Sequence, residues 1–235
     1  MKTKAAILLS GGKDSVYAYH QARGKNIDID TAIIIIPQNP ASWMFHAINA
    51  KYAVHVAKAL GIKNIITKET SGIKDKELDD LEKIIKQAKE KFKIKIIVTG
   101  AIASKYQKNN VEKILKKYKI EHYAPSWQNQ TNQENQYKYM KELLSYGIKF
   151  IIVGIFCEGI DASYLGKIIT KDDLDKLYEA SKKYGFNISF EGGEAETLAI
   201  DGPLFKKKLK VKGKEIKLNS YEWVFDIENV KLIDK

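Results

Sequence analysis

The amino-acid sequence predicts an α/β fold: a Rossmann-like doubly wound parallel sheet followed by a smaller C-terminal α+β domain. Three observations carry that prediction. Through the first half of the chain, short apolar runs alternate with segments whose apolar residues recur at helical spacing, the pattern of successive βα units. Within it, residues 32–36 are apolar without interruption, as in a central strand covered by helices on both faces. Between residues 123 and 133 the composition turns to Pro, Ser, Trp, Asn and Gln. Such a shift marks a connection between domains, and the chain divides into residues 1–124 and 125–235.

Taken in order, residues 5–9, 31–36, 64–67 and 94–99 read as strands, and the segments near 15–24, 45–60, 75–92 and 109–119 as helices. In a doubly wound sheet, ligands bind beyond the carboxyl ends of the strands. Three polar loops fall there, at residues 10–15, 37–46 and 100–107. Beyond the connection, residues 134–147 read as a helix, 150–155 as a strand, 171–184 as a helix, and the tail from Phe205 as strands. Leu209 and Val211 alternate with lysines, as do Ile216 and Leu218 after Gly213, so the basic run at 206–214 forms one face of a β-hairpin.

The chain has 235 residues, with 40 basic and 29 acidic side chains and a formal net charge of +11. That balance favours an anionic partner: ATP, nucleic acid, a ribonucleoprotein or an acidic protein. The lysine run at 206–214 has no interleaved arginine or aromatic residue for base stacking, so it reads as a solvated face rather than a nucleic-acid strip. No apolar run approaches the roughly 20 residues needed to cross a bilayer, and residues 1–4 lead straight into a strand. A cytoplasmic protein without a membrane partner is therefore expected. Cys157 is the only cysteine, which excludes an intrachain disulfide, a cysteine-rich metal site and a two-cysteine sulfur relay. It lies in the apolar run 150–157 and reads as a buried, inert thiol. His20, His55 and His122 show no metal-ligand spacing and read as packing or surface residues.

The chemistry concentrates in two segments. In the first, Ser10, Gly11, Gly12, Lys13, Asp14 and Ser15 stand between a strand and a helix. Glycines without Cβ atoms let backbone N–H groups close on phosphate oxygens, and the helix start adds partial positive charge. Lys13 supplies a full charge, and Ser10 and Ser15 supply hydroxyls. The Walker spacing is absent, because Ile7 stands where its first glycine would fall; the third glycine of a dinucleotide fingerprint is absent too. The loop resembles the pyrophosphate loop of N-type ATP pyrophosphatases, which cleave ATP to AMP and pyrophosphate. Gly100, Ala101 and Ser104 fall at the same sheet edge, where small residues leave room for ribose or adenine, although an ordinary strand-to-helix loop reads alike. His46 opens the helix after the second strand. In the second segment, Glu191, Gly192, Gly193, Glu194, Glu196 and Thr197 precede Asp201, Gly202 and Pro203. Three carboxylates so close need a cation, donors or a donor-rich ligand to balance them; an acidic turn is the other reading.

Together these segments resemble the diphthine-ammonia ligases, the pyrophosphate-loop enzymes that complete diphthamide on translation elongation factor 2. The likeness runs from Ser10 through Ser42, Trp43, Met44, Phe45 and His46, Tyr106, Gln107 and Lys108, Val111 and Glu112, Leu165 and Gly166, to Glu191, Glu194 and Phe205. It implies an adenine nucleotide alpha hydrolase-like sheet, with ATP and Mg²⁺ as cofactors. It also implies amidation of the diphthine carboxylate by ammonium through an acyl-adenylate. Ser10, Gly11, Gly12, Lys13, Asp14, Ser15, His46, Gly100, Ala101 and Ser104 would bind ATP, with Asp14 as the Mg²⁺ ligand. Lys13, Asp14, Glu191, Glu194 and Glu196 would be catalytic, and Tyr106, Gln107, Gly192, Gly193, Thr197 and Asp201 would bind substrate in a C-terminal substrate domain. The chain ends before the extra domains of larger relatives, which implies free ammonium as nitrogen source, and a homodimer stays open. It departs from the family at Phe190, where glycine is usual, at Ala195, where an aromatic is usual, and at Asn110, where arginine is usual. A tRNA-modifying pyrophosphate-loop enzyme and a non-catalytic nucleotide sensor are the alternative readings of the same fold.

Overall fold

The computed structural model describes residues 3–38, 50–71, 74–101, 105–127 and 132–235, with side chains except at 74–75 and 105–107. Two compact units form, Met1–Trp127 and Gln128–Lys235.

The first unit is the parallel sheet. Its strands are β1 (Lys4–Leu8), β2 (Asp28–Pro37), β3 (Asn64–Thr70), β4 (Ile96–Thr99) and β5 (Glu121–Tyr123), ordered β3-β2-β1-β4-β5 with every neighbour parallel. Helices α1 (Lys13–Gly24), α2 (Ala53–Leu60), α3 (Lys74–Phe92) and α4 (Lys105–Lys117) connect them. Right-handed crossovers moving outward from β1 to β3 place α1 and α2 on one face; the return to β4 and β5 places α3 and α4 on the other. The second face is a continuous core in which Leu81, Ile84, Ile85 and Ala88 of α3 and Val111, Ile114 and Leu115 of α4 cover Ala6, Ile33, Ile35 and Ile97. Each fully buried aliphatic side chain contributes about 1.5–3 kcal/mol over leaving it in water. Strand order reverses between β1 and β4, so the two loops leaving their carboxyl ends flank one crevice.

Two details differ from the sequence expectation. The loop expected through Gln107 ends earlier, since α4 already begins at Lys105. The domain connection begins later than residue 123: Tyr123 belongs to β5, and buried Ser126 donates a 2.6 Å hydrogen bond to Gln21 of α1, which keeps this stretch in the first unit. Three-residue β5 carries too little pattern to be read from sequence.

The second unit contains α5 (Gln133–Tyr146), β6 (Lys149–Ile155), α6 (Lys171–Tyr184), β7 (Ala195–Asp201), β8 (Lys208–Lys217) and β9 (Trp223–Ile233). The sheet is antiparallel, ordered β7-β6-β9-β8, which makes this unit α+β. Helix starts are capped by side chains: Asn132 accepts from the Asn135 N–H, and Thr170 and Asp173 form a reciprocal capping box. Strand β8 alternates without interruption, which puts Lys208, Lys210, Lys212 and Lys214 on one face together with Ile216; the register shift between Lys212 and Gly213 is taken up in β9, where Glu228 is the extra residue. Glu191, Gly192, Gly193 and Glu194 form a turn, one of the readings the sequence offered, and β7 begins directly after them with Ala195 and Glu196. No helix among the described residues is long and apolar enough to cross a membrane.

Candidate functional site

Each unit carries a candidate site of its own. In the first, β1 hands over to α1 through Ser10, Gly11 and Gly12. Gly11 has φ +83°, and a Cβ there would stand 3.1 Å from Ala53 Cα at the start of α2, so both conformation and space require glycine. Gly12 is the N-cap and contributes no side-chain hydrogen bond, which leaves the helix start to its backbone. The Ser15 hydroxyl donates to the Gly12 carbonyl at 3.0 Å, Ser10 Oγ lies 3.2 Å from Ser15 Oγ, and the Gly12 N–H reaches Ser10 Oγ at 3.3 Å. Lys13 is 1 % exposed and its Nζ donates to Asp14 Oδ2 at 2.7 Å.

Across the strand-order reversal, Gly100 presses on this loop. A Cβ at Gly100 would lie 2.5 Å from Ser15 N and 2.7 Å from Asp14 C. The space beside Gly100 is thus filled by the first turn of α1. A buried ammonium, two serine hydroxyls in contact and a helix start without a capping side chain are the donor set a pyrophosphate requires. Among the described residues no three His, Cys, Asp or Glu side chains gather as a metal cage; Asp14 is a single carboxylate, the number that suffices for Mg²⁺ when phosphates and water complete its shell.

In the second unit, the segment between α6 and β7 folds around Glu194. Its Oε1 accepts the Asn187 N–H at 3.1 Å, its Oε2 accepts the Gly192 N–H at 2.8 Å, and its carbonyl accepts the Phe156 N–H at 2.8 Å. A Cβ on Gly192 would stand 2.5 Å from Glu194 Oε1, so this glycine is a requirement of the carboxylate wrap. Asp201 is similarly engaged. It accepts Lys149 Nζ at 3.2 Å, Lys235 Nζ at 3.1 Å and its neighbour's Gly202 N–H at 2.8 Å. Burial by itself raises its pKa, but these donors outweigh burial and hold it below the usual carboxylate value. Cys157 has its thiol pushed up to about 11, by burial first and the Glu194 charge second, which makes it a poor nucleophile at neutral pH.

Comparison with known proteins now decides the family. The diphthamide synthase N-terminal domain matches residues 3–121 and the diphthamide synthase C-terminal domain matches residues 135–233. The chain belongs to the diphthamide synthase family. Among curated members, the diphthine–ammonia ligases of Mus musculus and Homo sapiens are 34% and 33% identical, each match covering 92% of this chain and 86% of the relative. That of Danio rerio is 30% identical, over 91% of this chain and 88% of the relative. A solved structure, the predicted subunit of a tRNA methyltransferase from Methanocaldococcus jannaschii, is 18% identical over 83% of this chain and 95% of its own, with a TM-score of 0.38.

In this diphthamide synthase family member, Phe190 adopts an unusual backbone conformation. The residue has φ +64° and is 4 % exposed. This chain thus holds a buried phenylalanine in the left-handed region, which favours glycine. Of the other residues singled out, Ser10, Gly11, Gly12, Lys13, Asp14, Ser15 and Gly100 are gathered at the β1/β4 crevice, with Ala101 next in the chain. Glu191, Gly192, Gly193, Glu194, Glu196 and Thr197 share the α6–β7 segment and the start of β7. His46 and Ser104 lie outside the described residues, as do the side chains of Tyr106 and Gln107.

One cluster escaped sequence reading. Thr99, the last residue of β4, has Oγ1 2.9 Å from His122 Nε2, and His122 Nδ1 lies 3.3 Å from Glu112 Oε1. Glu112 carried a signal as part of the family pattern. His122 carried none, because only the β4–β5 pairing brings it beside Thr99.

Proposed function

We propose that this protein is an ATP-dependent diphthine–ammonia ligase acting in the cytoplasm, with diphthine-bearing translation elongation factor 2 as its protein substrate and ammonium as its nitrogen source. Its likeness to the diphthine–ammonia ligases over 92% of the chain, coupled to a phosphate loop with a buried lysine, supports this reading. We take the first unit as the ATP-binding domain and the second as the substrate domain.

A carboxylate resists attack by ammonia because its leaving group would be oxide. Adenylation replaces that with AMP, and pyrophosphate departs. Gly11, Gly12, Ser10 and Ser15 would cradle the β- and γ-phosphates with their N–H and hydroxyl groups, while Lys13 offsets the charge that develops as pyrophosphate leaves. Asp14 orients Lys13 through their ion pair and would hold Mg²⁺, which would supply further charge neutralisation when bound. Ala101, with His46 and Ser104, would border the nucleoside.

In the second unit, the two backbone bonds to the Glu194 carboxylate support a role in shaping the Gly192–Gly193 turn. Glu191 and Glu196 then face the trimethylammonium group of diphthine and the incoming ammonium, and one of them takes the proton released when ammonia attacks. Thr197 and Asp201 would complete the substrate contacts of this unit, and Tyr106 and Gln107 would supply those of the first. Asp201 does so indirectly, by tying β6, β7 and the C-terminal Lys235 together.

The test is pyrophosphate release from ATP with Mg²⁺ and ammonium, using diphthine-bearing elongation factor 2, unmodified factor or bulk tRNA as acceptor. Release confined to the diphthine form, with a mass change from carboxylate to amide, is expected. Release that depends on tRNA alone would overturn the assignment.

A further inference from the structure

We infer that Thr99, His122 and Glu112 form a hydroxyl–imidazole–carboxylate relay that positions the nucleotide loop, with His122 as a positioning residue for ATP binding. This rests on the reading of residues 10–15 as the ATP loop.

The strand pairings show what the relay is for. On its β1 side, Thr99 is in register with Leu8. On its β5 side, the last pair is Val98 with Tyr123, so Thr99 lies one residue past the end of that ladder. Strand β5 is only three residues long and can hold little of the β4 terminus by itself. The imidazole of His122 reaches back from β5 and meets Thr99 Oγ1 at 2.9 Å, taking over where the backbone pairing stops.

The direction of each hydrogen bond follows from the chemistry of the partners. A carboxylate only accepts, so the ring nitrogen facing Glu112, Nδ1, carries the hydrogen. Nε2 is then bare and accepts the Thr99 hydroxyl. Burial, the largest influence, holds the His122 pKa below its ordinary value; Glu112 opposes this and Lys108 reinforces it. The ring is accordingly neutral at pH 7, as this tautomer needs. Glu112 is itself fixed from α4, where Lys108 Nζ lies 3.7 Å from the same Oε1 and 4.4 Å from the centre of the Trp127 ring.

The relay ends at the phosphate loop. Thr99 is followed by Gly100, whose missing Cβ would stand 2.5 Å from Ser15 N. Between the end of β4 and the first turn of α1 there is no slack, so a shift of Thr99 is passed to Ser15 and Asp14 rather than absorbed.

Four variants separate positioning from general stability. Thr99→Val keeps the shape of the side chain and removes the hydroxyl; Thr99→Ser keeps the hydroxyl. His122→Asn retains a polar group near Glu112 and falls short of Thr99; His122→Gln is long enough to offer Thr99 an acceptor. Two readouts are taken below the melting range of every variant: hydrogen exchange of the amides at residues 13–16 in ligand-free protein, and ATP affinity by titration. Thr99→Val and His122→Asn are expected to speed exchange and weaken ATP binding by about tenfold, the effect of one buried hydrogen bond. The double variant should lose little more than either single one, and Thr99→Ser and His122→Gln should stay within about threefold of the parent. Unchanged exchange at residues 13–16 in both disruptive variants, or losses that simply add, would overturn the relay. Faster exchange in a protein that binds no ATP would uphold the positioning and refute the nucleotide reading.

Discussion

Replacing Gly100 by alanine adds one methyl group at the tightest point of the crevice. That carbon would sit 2.5 Å from Ser15 N, 2.6 Å from Ser15 Cα and 2.7 Å from Asp14 C, where ordinary contacts start at 3.4 Å. All three are backbone atoms of a helix start, so no side chain can swing aside. Gly100 does not have a left-handed φ, so the penalty is steric alone. Restoring contact distance moves β4 and α1 apart by about 1 Å, a displacement that costs catalysis about 100-fold when it falls on the reacting groups. Overpacking also costs about 1–3 kcal/mol of stability, which for a chain of this size lowers the melting temperature by roughly 2–4 °C per kcal/mol. The assay is kcat/KM for ATP from pyrophosphate release, with thermal melting in parallel. Gly24→Ala is the control: nothing lies within 4 Å of its added carbon, and it should leave activity unchanged. If Gly100→Ala releases pyrophosphate within threefold of the parent, the close approach of β4 to the phosphate loop has no bearing on catalysis.

Lys13→Met keeps the buried stem and removes the charge, and should abolish detectable ATP binding in a titration while circular dichroism shows the fold retained; undiminished affinity would remove Lys13 from the phosphate site. Glu194→Gln turns one of two accepting oxygens into an NH₂ group that faces a backbone N–H, so amide formation should fall at least tenfold, as expected for loss of a charge-assisted hydrogen bond, with ATP affinity intact; full turnover would sink the role of this turn. Gly192→Ala forces the same carboxylate aside, and combining the two should add little to either. At Phe190, relief of left-handed strain is worth about 1–2 kcal/mol and loss of the buried ring about 3–5 kcal/mol. Phe190→Gly should therefore be less stable than the parent yet more stable than Phe190→Ala, the reverse of the usual order, as read from denaturant midpoints. The Asp201 carboxylate is held below its ordinary 3.8, so its contribution is complete above that pH and is lost as pH falls through the depressed folded value. Melting temperatures between pH 7 and pH 2.5 should show the parent's advantage over Asp201→Asn shrinking below about pH 4; an advantage independent of pH would mean the ion pairs contribute nothing.

What the sequence determined by itself is what short-range pattern can encode. An uninterrupted apolar stretch at 32–36 has to be a strand buried on both faces, and two glycines followed by Lys13 between a strand and a helix admit few uses. The alternation of Leu209 and Val211 with lysines marked β8 as a strand of a hairpin. Ala195, Leu198 and Ala199 belong to a strand as well, but Glu196 and Thr197 between them interrupt the apolar pattern.

The tertiary structure decided everything that depends on residues far apart in the chain meeting. Gly100 reads in sequence as room for a ligand, and in the fold it is the surface against which Ser15 is set. Glu194 reads as one of three carboxylates in need of a balancing partner, and in the fold both of its oxygens hold a turn. His122 reads as a packing or surface residue until β5 lies beside β4. Spacing along a chain fixes direction and periodicity within one element, whereas the distance between elements is set by the packing of the sheet and its helices, and no local pattern carries that information.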